Sequence, residues 1–320
     1  METDKVKTWS AGAQALALLT AVHERKWTTY LTEPRDLAEL AAFTELPADR
    51  LRDVVGALEA NGIVELADLK VWLTPEYADL LSDDAPFSLD DLLGEARMMS
   101  RLVVDALEGL PPTTGDALTV ADAYGLRPTA VAQDVFGQLL DVLPDFQEAL
   151  RDGRYLDVGC GIGGFLLSTA PVFPGMRAVG VELVPEVAAE GARRAVALGV
   201  SDRVDIRCMD ARDLEEEDEF DSAFWAQPFF PAASRPETLA AIRRALKPGA
   251  KLYMQEMESM PEDEAERGAF ALRRLVFANW GVPFARSAED LTTEAEAAGF
   301  VLDRVAATPF GRIVVVVRPH

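Results

Sequence analysis

Apolar residues recur along this chain in two different rhythms. Over residues 9–30 they fall at three- and four-residue spacing, and Ala15, Leu16, Leu18, Leu19 and Val22 form one stripe, which predicts an amphipathic helix. Thr32-Glu-Pro-Arg-Asp-Leu-Ala-Glu-Leu starts a second helix with proline near its first turn, and Leu46-Pro-Ala-Asp-Arg-Leu starts a third. The third helix carries Leu51, Val54, Val55 and Leu58 and stops at Asn61-Gly62. Ile63-Val-Glu-Leu and Lys70-Val-Trp-Leu-Thr then alternate as two short strands around Ala67-Asp68. Farther on, 91–110 reads as a long helix bearing Met98, Met99 and Leu102, broken by Pro111-Pro-Thr-Thr-Gly, and 131–150 reads as another.

The second rhythm begins at Tyr155-Leu-Asp-Val-Gly-Cys-Gly-Ile-Gly-Gly-Phe165, where a short apolar run collapses into glycines and resumes as Phe165-Leu-Leu. That order predicts a buried strand, a tight turn and a helix start. Comparable runs follow at 178–183, 203–209, 220–225, 251–257, 301–305 and 312–318, which predicts an α/β domain with a largely parallel sheet. A loop at the carboxyl end of a parallel strand is where open sheets bind ligands, and Gly159, Gly161 and Gly164 let a ligand approach the backbone.

Gly159-x-Gly161-x-x-Gly164 also fits a dinucleotide fingerprint, so other residues must decide the cofactor. Asp157 stands on the strand two residues before the first glycine, where a carboxylate suits an ammonium and repels a pyrophosphate. The next strand ends in Glu182, placed to accept hydrogen bonds from ribose hydroxyls, and the third delivers Asp210-Ala211 towards an adenine edge. With a later Leu246-Lys-Pro-Gly-Ala-Lys-Leu252, this set resembles the class I S-adenosylmethionine-dependent methyltransferases over roughly residues 130–320. The resemblance implies a Rossmann-like sheet whose last strand pairs antiparallel. It implies S-adenosyl-L-methionine as cofactor and S-adenosyl-L-homocysteine as product, with Asp157, Gly159 and Gly161 at the methionine end, Glu182 on the ribose, Asp210 and Ala211 on the adenine, and Trp225 completing the cofactor set.

Helix, helix, hairpin is a winged-helix order, which raises the question of DNA. The helix that would enter a groove, Asp49-Arg-Leu-Arg-Asp-Val-Val-Gly-Ala-Leu-Glu-Ala, offsets its two arginines with Asp49, Asp53 and Glu59, so it has no basic footprint. Asp36-Leu-Ala-Glu-Leu-Ala, Gly56-Ala-Leu-Glu-Ala-Asn-Gly62 and Leu73-Thr-Pro75 instead resemble the amino-terminal dimerisation domain of small-molecule O-methyltransferases. The resemblance implies a mostly α winged-helix dimerisation domain with linking helices at 1–110, a catalytic domain at 111–320 and a homodimer. It also implies that the linking helices line the acceptor cavity, making Met98, Met99 and Arg101 candidate acceptor contacts, and that 131–150 lies across the cofactor.

Charge narrows the partners. The 320 residues carry a formal net charge of −23, which opposes nucleic acid and anionic lipid surfaces and favours a small-molecule acceptor. Cys160 and Cys208 are too few for a disulfide framework and have no metal-ligand spacing, so no metal is expected and the chain reads as cytoplasmic. Residues 11–22 are apolar, but Glu2 and Asp4 precede them and Gln14 interrupts them, which predicts an amphipathic helix and no membrane association. His23 follows that stripe among polar neighbours and is expected to be solvated.

The acceptor side departs from the resembled family. There, the segment after the fourth strand carries a His that takes the acceptor proton; here it reads Ala226-Gln-Pro-Phe-Phe-Pro231, and the histidines of the chain are His23 and His320. Methyl transfer from a sulfonium needs mainly in-line positioning, and a base only where the nucleophile arrives protonated and weakly acidic. Gln227 and Glu256 are therefore the candidate catalytic groups, with Glu258 beside the latter, and N- or C-methylation stands as the alternative to O-methylation. A catalytically silent, cofactor-binding regulator is the alternative from another class. Phe229, Phe230, Trp280, Phe277 and Phe284 suit a flat, apolar or aromatic acceptor, such as an intermediate of secondary metabolism.

Overall fold

The computed structural model describes residues 3–256, 260–261, 263–264, 266–308 and 311–320. The chain forms two compact units, Met1–Leu93 and Gly94–His320. The division falls inside a long helix, ahead of the Pro111-Pro112 break.

In the first unit, helix α1 (Thr3–Glu24) is followed by a single turn, α2 (Trp27–Tyr30), because Lys26 takes a left-handed conformation at φ 64° and ends the run that the apolar spacing carries to residue 30. Strand β1 (Arg35–Asp36) leads into α3 (Leu37–Thr44), where Asp36 and Glu39 form a capping box. Pro34 thus lies ahead of the helix and not in its first turn. Helix α4 (Ala48–Ala60) buries Leu51, Val55 and Leu58, and the chain reverses at Gly62, φ 69°, into the hairpin β2 (Val64–Ala67) and β3 (Lys70–Leu73). The three strands order as β1-β3-β2, all antiparallel. Their core gathers Leu19, Val22, Leu40, Leu51, Leu58, Ile63 and Val71. A short helix α5 (Pro75–Asp79) and the first turn of α6 (Leu89–Glu108) complete the unit.

His23 corrects the expectation of a solvated residue. It is 5% exposed, with Nδ1 2.7 Å from Thr28 Oγ1 and Nε2 2.9 Å from Asp90 Oδ1. Two hydrogen bonds satisfy both ring nitrogens, which is what permits an imidazole to be buried.

The second unit opens with α7 (Thr114–Tyr124), α8 (Ala130–Asp141) and α9 (Pro144–Asp152). Pro144 splits the single helix expected over 131–150, since a proline starts a helix readily and cannot continue one. A seven-stranded sheet follows, from β4 (Arg154–Val158), β5 (Arg177–Glu182), β6 (Val204–Cys208), β7 (Phe220–Trp225), β8 (Leu246–Gln255), β9 (Val301–Thr308) and β10 (Gly311–Val317). Their order is β6-β5-β4-β7-β8-β10-β9; the first five are parallel, and β10 pairs antiparallel with both β8 and β9, as expected of the last strand. Helices α10 (Gly164–Thr169), α11 (Pro185–Ala197), α12 (Arg235–Ala245), α13 (Arg267–Asn279) and α14 (Ala288–Ala297) connect them.

The alternation of the strands builds two cores. Leu156, Val158, Val179, Val181, Ala223 and Trp225 face one layer with Leu239, Ile242 and Leu291, while Tyr155 and Tyr253 face the other with Phe146 and Phe165. Each fully buried Leu, Val or Phe contributes about 1.5–3 kcal/mol, so these layers rather than the termini hold the sheet. The order of strands reverses at β4, which has β5 on one side and β7 on the other. A crevice for a ligand is therefore expected at the carboxyl ends of β4 and β7.

Candidate functional site

The glycine turn stands at that reversal. Gly159, Gly161 and Gly163 take φ of 72°, 57° and 82°, values that disfavour any side chain, and the turn is tied to β5 by Gly159 N and Cys160 N, which donate to Val181 O at 2.8 and 3.1 Å. The turn runs straight into α10, with Gly163 at its N-cap.

Two carboxylates flank the turn. Glu182, at the end of β5, accepts from Gly161 N at 3.1 Å on one oxygen and from Val184 N at 2.9 Å on the other. Burial raises its pKa, and these backbone donors hold part of the rise back. Asp157 is 3% exposed on β4; burial, relieved in part by the nearby Tyr155 hydroxyl and reinforced by the like charge of Glu182, pushes its pKa up to about 7. A buried carboxyl in that state gains from a cationic partner, and an ammonium supplies one. Glu182, and Asp157 when ionised, repel a pyrophosphate.

Asp210 and Ala211, the pair expected at an adenine, are differently disposed. Asp210 caps the short turn Ala211–Asp213 and accepts from Arg212 N at 2.9 Å, Nε at 3.0 Å and Nη2 at 2.7 Å, which lowers its pKa. An adenine amine would have to share that carboxylate with Arg212. Ala211 is buried in the core beside it. Trp225 is wholly buried too, its indole N–H without a partner among the described residues and the Arg235 guanidinium 4.7 Å from its ring centroid.

Backbone also lies on the glycine turn from outside. A methyl at Gly164 would come within 3.1 Å of Leu126 N and O, and one at Gly125 within 2.9 Å of Ile162, so Gly125-Leu126 packs directly on the turn. The segment over the turn is thus the one after α7, while α8 packs on α10 through Phe136, edge-on to Phe165 at 5.0 Å.

The candidate catalytic groups are both committed. Gln227, 2% exposed, donates from Nε2 to Gln255 O at 3.1 Å and accepts at Oε1 from Arg235 Nη2 at 2.9 Å; Arg235 Nη1 also holds the Gln227 carbonyl at 2.8 Å. Arg235 itself is 2% exposed and reaches Glu294 Oε2 at 2.6 Å. Glu256 is 9% exposed, grips Arg312 through both oxygens at 2.5 and 2.7 Å and accepts from Ala288 N at 3.2 Å. A carboxylate with both oxygens engaged by a guanidinium and a backbone N–H, and an amide with both ends satisfied, act as struts. Glu258 lies outside the described residues.

On the acceptor side, aromatic rings meet in series. Phe229 lies edge-on to Tyr124 at 5.6 Å and beside Phe277 at 5.6 Å, and Phe277 touches Trp280 at 5.3 Å and Phe284 at 5.1 Å. Met98, Met99, Leu102, Val120 and Val276 pack with Trp280, whose buried indole N–H has no partner among the described residues. Arg101 is turned elsewhere: it ion-pairs with Asp105 at 2.5 Å and with Asp116, the buried carboxylate of the capping box that starts α7. Among the described residues no group of His, Cys, Asp and Glu could hold a metal ion.

Sequence reasoning missed Arg235 and the Gly125-Leu126 cover. Arg235 looks locally like any residue at a helix start, and its partner Glu294 is remote in sequence; Gly125, between a helix end and Leu126, is the only local signal of the cover.

A family model described as "Methyltransferase domain" matches residues 156–249, which span the turn, both flanking carboxylates and the start of β8. The sterol 4-C-methyltransferase strm-1 of Caenorhabditis elegans is 28% identical over 165 residues, 45% of this chain and 49% of that protein. The chain spans about half the length of the curated relatives it matches. Among solved structures, the mitomycin 7-O-methyltransferase MmcR superposes with a TM-score of 0.73 at 19% identity, covering 98% of this chain and 97% of that one. Human N-acetylserotonin methyltransferase, solved in complex with SAM, gives 0.72 at 17% identity, covering 100% and 99%. These likenesses are of fold, and they extend over both units.

Proposed function

We propose that this chain, whose residues 156–249 form a methyltransferase domain of the class I, S-adenosylmethionine-dependent kind, methylates a small, flat acceptor at a nucleophile that needs no side-chain base. The observation that carries the reading is the pair of carboxylates astride the glycine turn. Buried Asp157 answers an ammonium, and Glu182, braced by Gly161 N and Val184 N, answers a ribose diol. A dinucleotide offers the diol without the ammonium and brings a pyrophosphate that Glu182, and Asp157 when ionised, oppose.

When bound, S-adenosyl-L-methionine supplies an electrophilic methyl on a sulfonium and leaves as S-adenosyl-L-homocysteine. The chain contributes position and dryness. Gly159, Gly161 and Asp157 hold the methionine end, the Gly125-Leu126 cover limits water over the turn, and the Phe229, Phe277, Trp280 and Phe284 rings orient a planar acceptor. Gln227 and Glu256 stiffen the wall rather than move protons. This favours an aromatic or heteroaromatic amine, an acidic hydroxyl or an activated carbon over an ordinary phenol, and such acceptors belong to secondary metabolism.

We further read the first unit as a dimerisation domain. On α1, Val6, Trp9 and Leu16 are 62%, 69% and 37% exposed and share one face at helical spacing, an apolar stripe that a second copy would cover. The two cysteines are free thiols, which suits the reducing cytoplasm. Among the described residues no helix is long and apolar enough to cross a membrane.

The test is turnover of S-adenosyl-L-methionine against a panel of aromatic amines, acidic hydroxyls, activated carbons and simple phenols, followed by release of S-adenosyl-L-homocysteine and product mass. Methylation of a member of the first three classes is expected. No turnover with any class would contradict the reading, and efficient methylation of simple phenols would contradict its base-free form.

A further inference from the structure

The ring of Phe230 stands against the first glycine of the turn. A methyl placed on Gly159 would lie 2.7 Å from Phe230 Cε2, 3.2 Å from Cζ and 3.4 Å from the Ala226 carbonyl, so the edge of the ring packs directly on the glycine where β4 and β7 end. The absence of a side chain at Gly159, which the φ of 72° also demands, is what lets the ring come so close. Phe230 is held there from behind. It lies edge-on to Trp225, centroids 5.4 Å apart, and Trp225 in turn carries the Arg235 guanidinium. Its backbone N–H closes the short Gln227–Phe229 turn onto Gln227 O at 3.2 Å, and that carbonyl is also held by Arg235.

We propose that Phe230, which sequence position groups with the acceptor contacts, faces the sulfonium of the cofactor and makes the site prefer the charged methyl donor over the neutral product. The inference rests on the methyltransferase reading above. An aromatic face is electronegative and attracts a cation, most strongly where water is excluded. The sulfonium carries a positive charge that methyl transfer removes: the S–CH3 bond breaks with its electron pair returning to sulfur, and the methyl bonds to the acceptor. The attraction to Phe230 is therefore present before transfer and absent after it. Phe230 in this role tightens the donor and loosens the product with no movement of the protein. The Ala226 carbonyl, beside the ring at Gly159, adds a second negative dipole.

The experiment is calorimetric titration of the full chain with S-adenosyl-L-methionine and S-adenosyl-L-homocysteine separately, in wild type and Phe230→Leu. Leucine keeps an apolar side chain and loses the ring. The ratio of the two affinities is the readout, since a merely structural role would weaken both ligands alike. Phe230→Leu is expected to weaken the donor about three- to tenfold relative to the product. Where that variant does not fold, multiply fluorinated phenylalanine at position 230, which keeps the ring shape and withdraws its negative face, is expected to shift the ratio the same way. An unchanged ratio, with both ligands weakened equally or neither, would overturn the assignment and leave Phe230 as packing or as an acceptor contact. Failure of wild type to bind either ligand would overturn the methyltransferase reading itself.

Discussion

Asp157 makes ligand binding depend on pH in a calculable way. With its carboxyl pushed up to about 7 by burial and by the charge of Glu182, about nine molecules in ten are protonated at pH 6 in the cofactor-free protein. The ammonium of the cofactor favours the ionised form, so binding expels that proton. At pH 6 about 0.9 proton should therefore leave per S-adenosyl-L-homocysteine bound, against about 0.1 at pH 8, and affinity should fall about tenfold from pH 8 to pH 6. The stability of the cofactor-free fold moves the other way. An unfolded aspartate ionises near 3.9 whereas the folded one keeps its proton to about 7, so the fold binds more protons through that window and loses stability as pH rises across it. The assay is titration calorimetry at pH 6 in two buffers of different ionisation enthalpy, whose heats differ by the number of protons released. Asp157→Asn should abolish the difference, weaken binding at pH 8 and flatten the pH dependence of melting. Equal heats in both buffers, or an unchanged proton count in Asp157→Asn, would refute the placement of this carboxylate at the ammonium.

Three other outcomes are expected. Gly159→Ala should lose cofactor binding at least tenfold, because the new methyl meets Phe230 at 2.7 Å in a backbone conformation of φ 72°; unchanged affinity by calorimetry would mean the cofactor does not approach this turn. Arg235→Met should destabilise the second unit by about 3 kcal/mol in denaturant melts, since Glu294 and both oxygens of Gln227 lose a buried donor, and a loss below about 1 kcal/mol would show that the network is not holding the Gln227–Phe229 turn. Trp9→Glu with Leu16→Glu should leave a folded monomer by sedimentation, whereas a monomeric wild type or an undisturbed dimer would dismiss α1 as the contact.

What the sequence made legible follows from how local each signal is. The glycine turn, Asp157 and Glu182 could be read because a strand that ends in an acid or a glycine is a contiguous pattern, and the antiparallel β10 followed from the resemblance those residues carry. The break at Pro144 was equally local and was written in the sequence, but the apolar spacing over 131–150 ran across it. Other features depend on partners far away in the chain. His23 looks solvated until Asp90 is brought to its ring, Glu256 looks like a free carboxylate until Arg312 clamps it, and Gln227 looks unengaged until Arg235 and Gln255 take both its ends. Nothing near Phe230 in sequence announces Gly159 either; only the pairing of Val158 with Trp225 across β4 and β7 brings the two strand ends together.

The most direct measurement is calorimetric titration of the full chain with S-adenosyl-L-homocysteine, with NAD alongside and Glu182→Ala as the paired variant. One-to-one binding of S-adenosyl-L-homocysteine, no heat from NAD, and loss of most of the affinity in Glu182→Ala with its melting transition intact are expected. Binding of NAD, or an affinity for S-adenosyl-L-homocysteine that Glu182→Ala leaves unchanged, would contradict the methyltransferase reading.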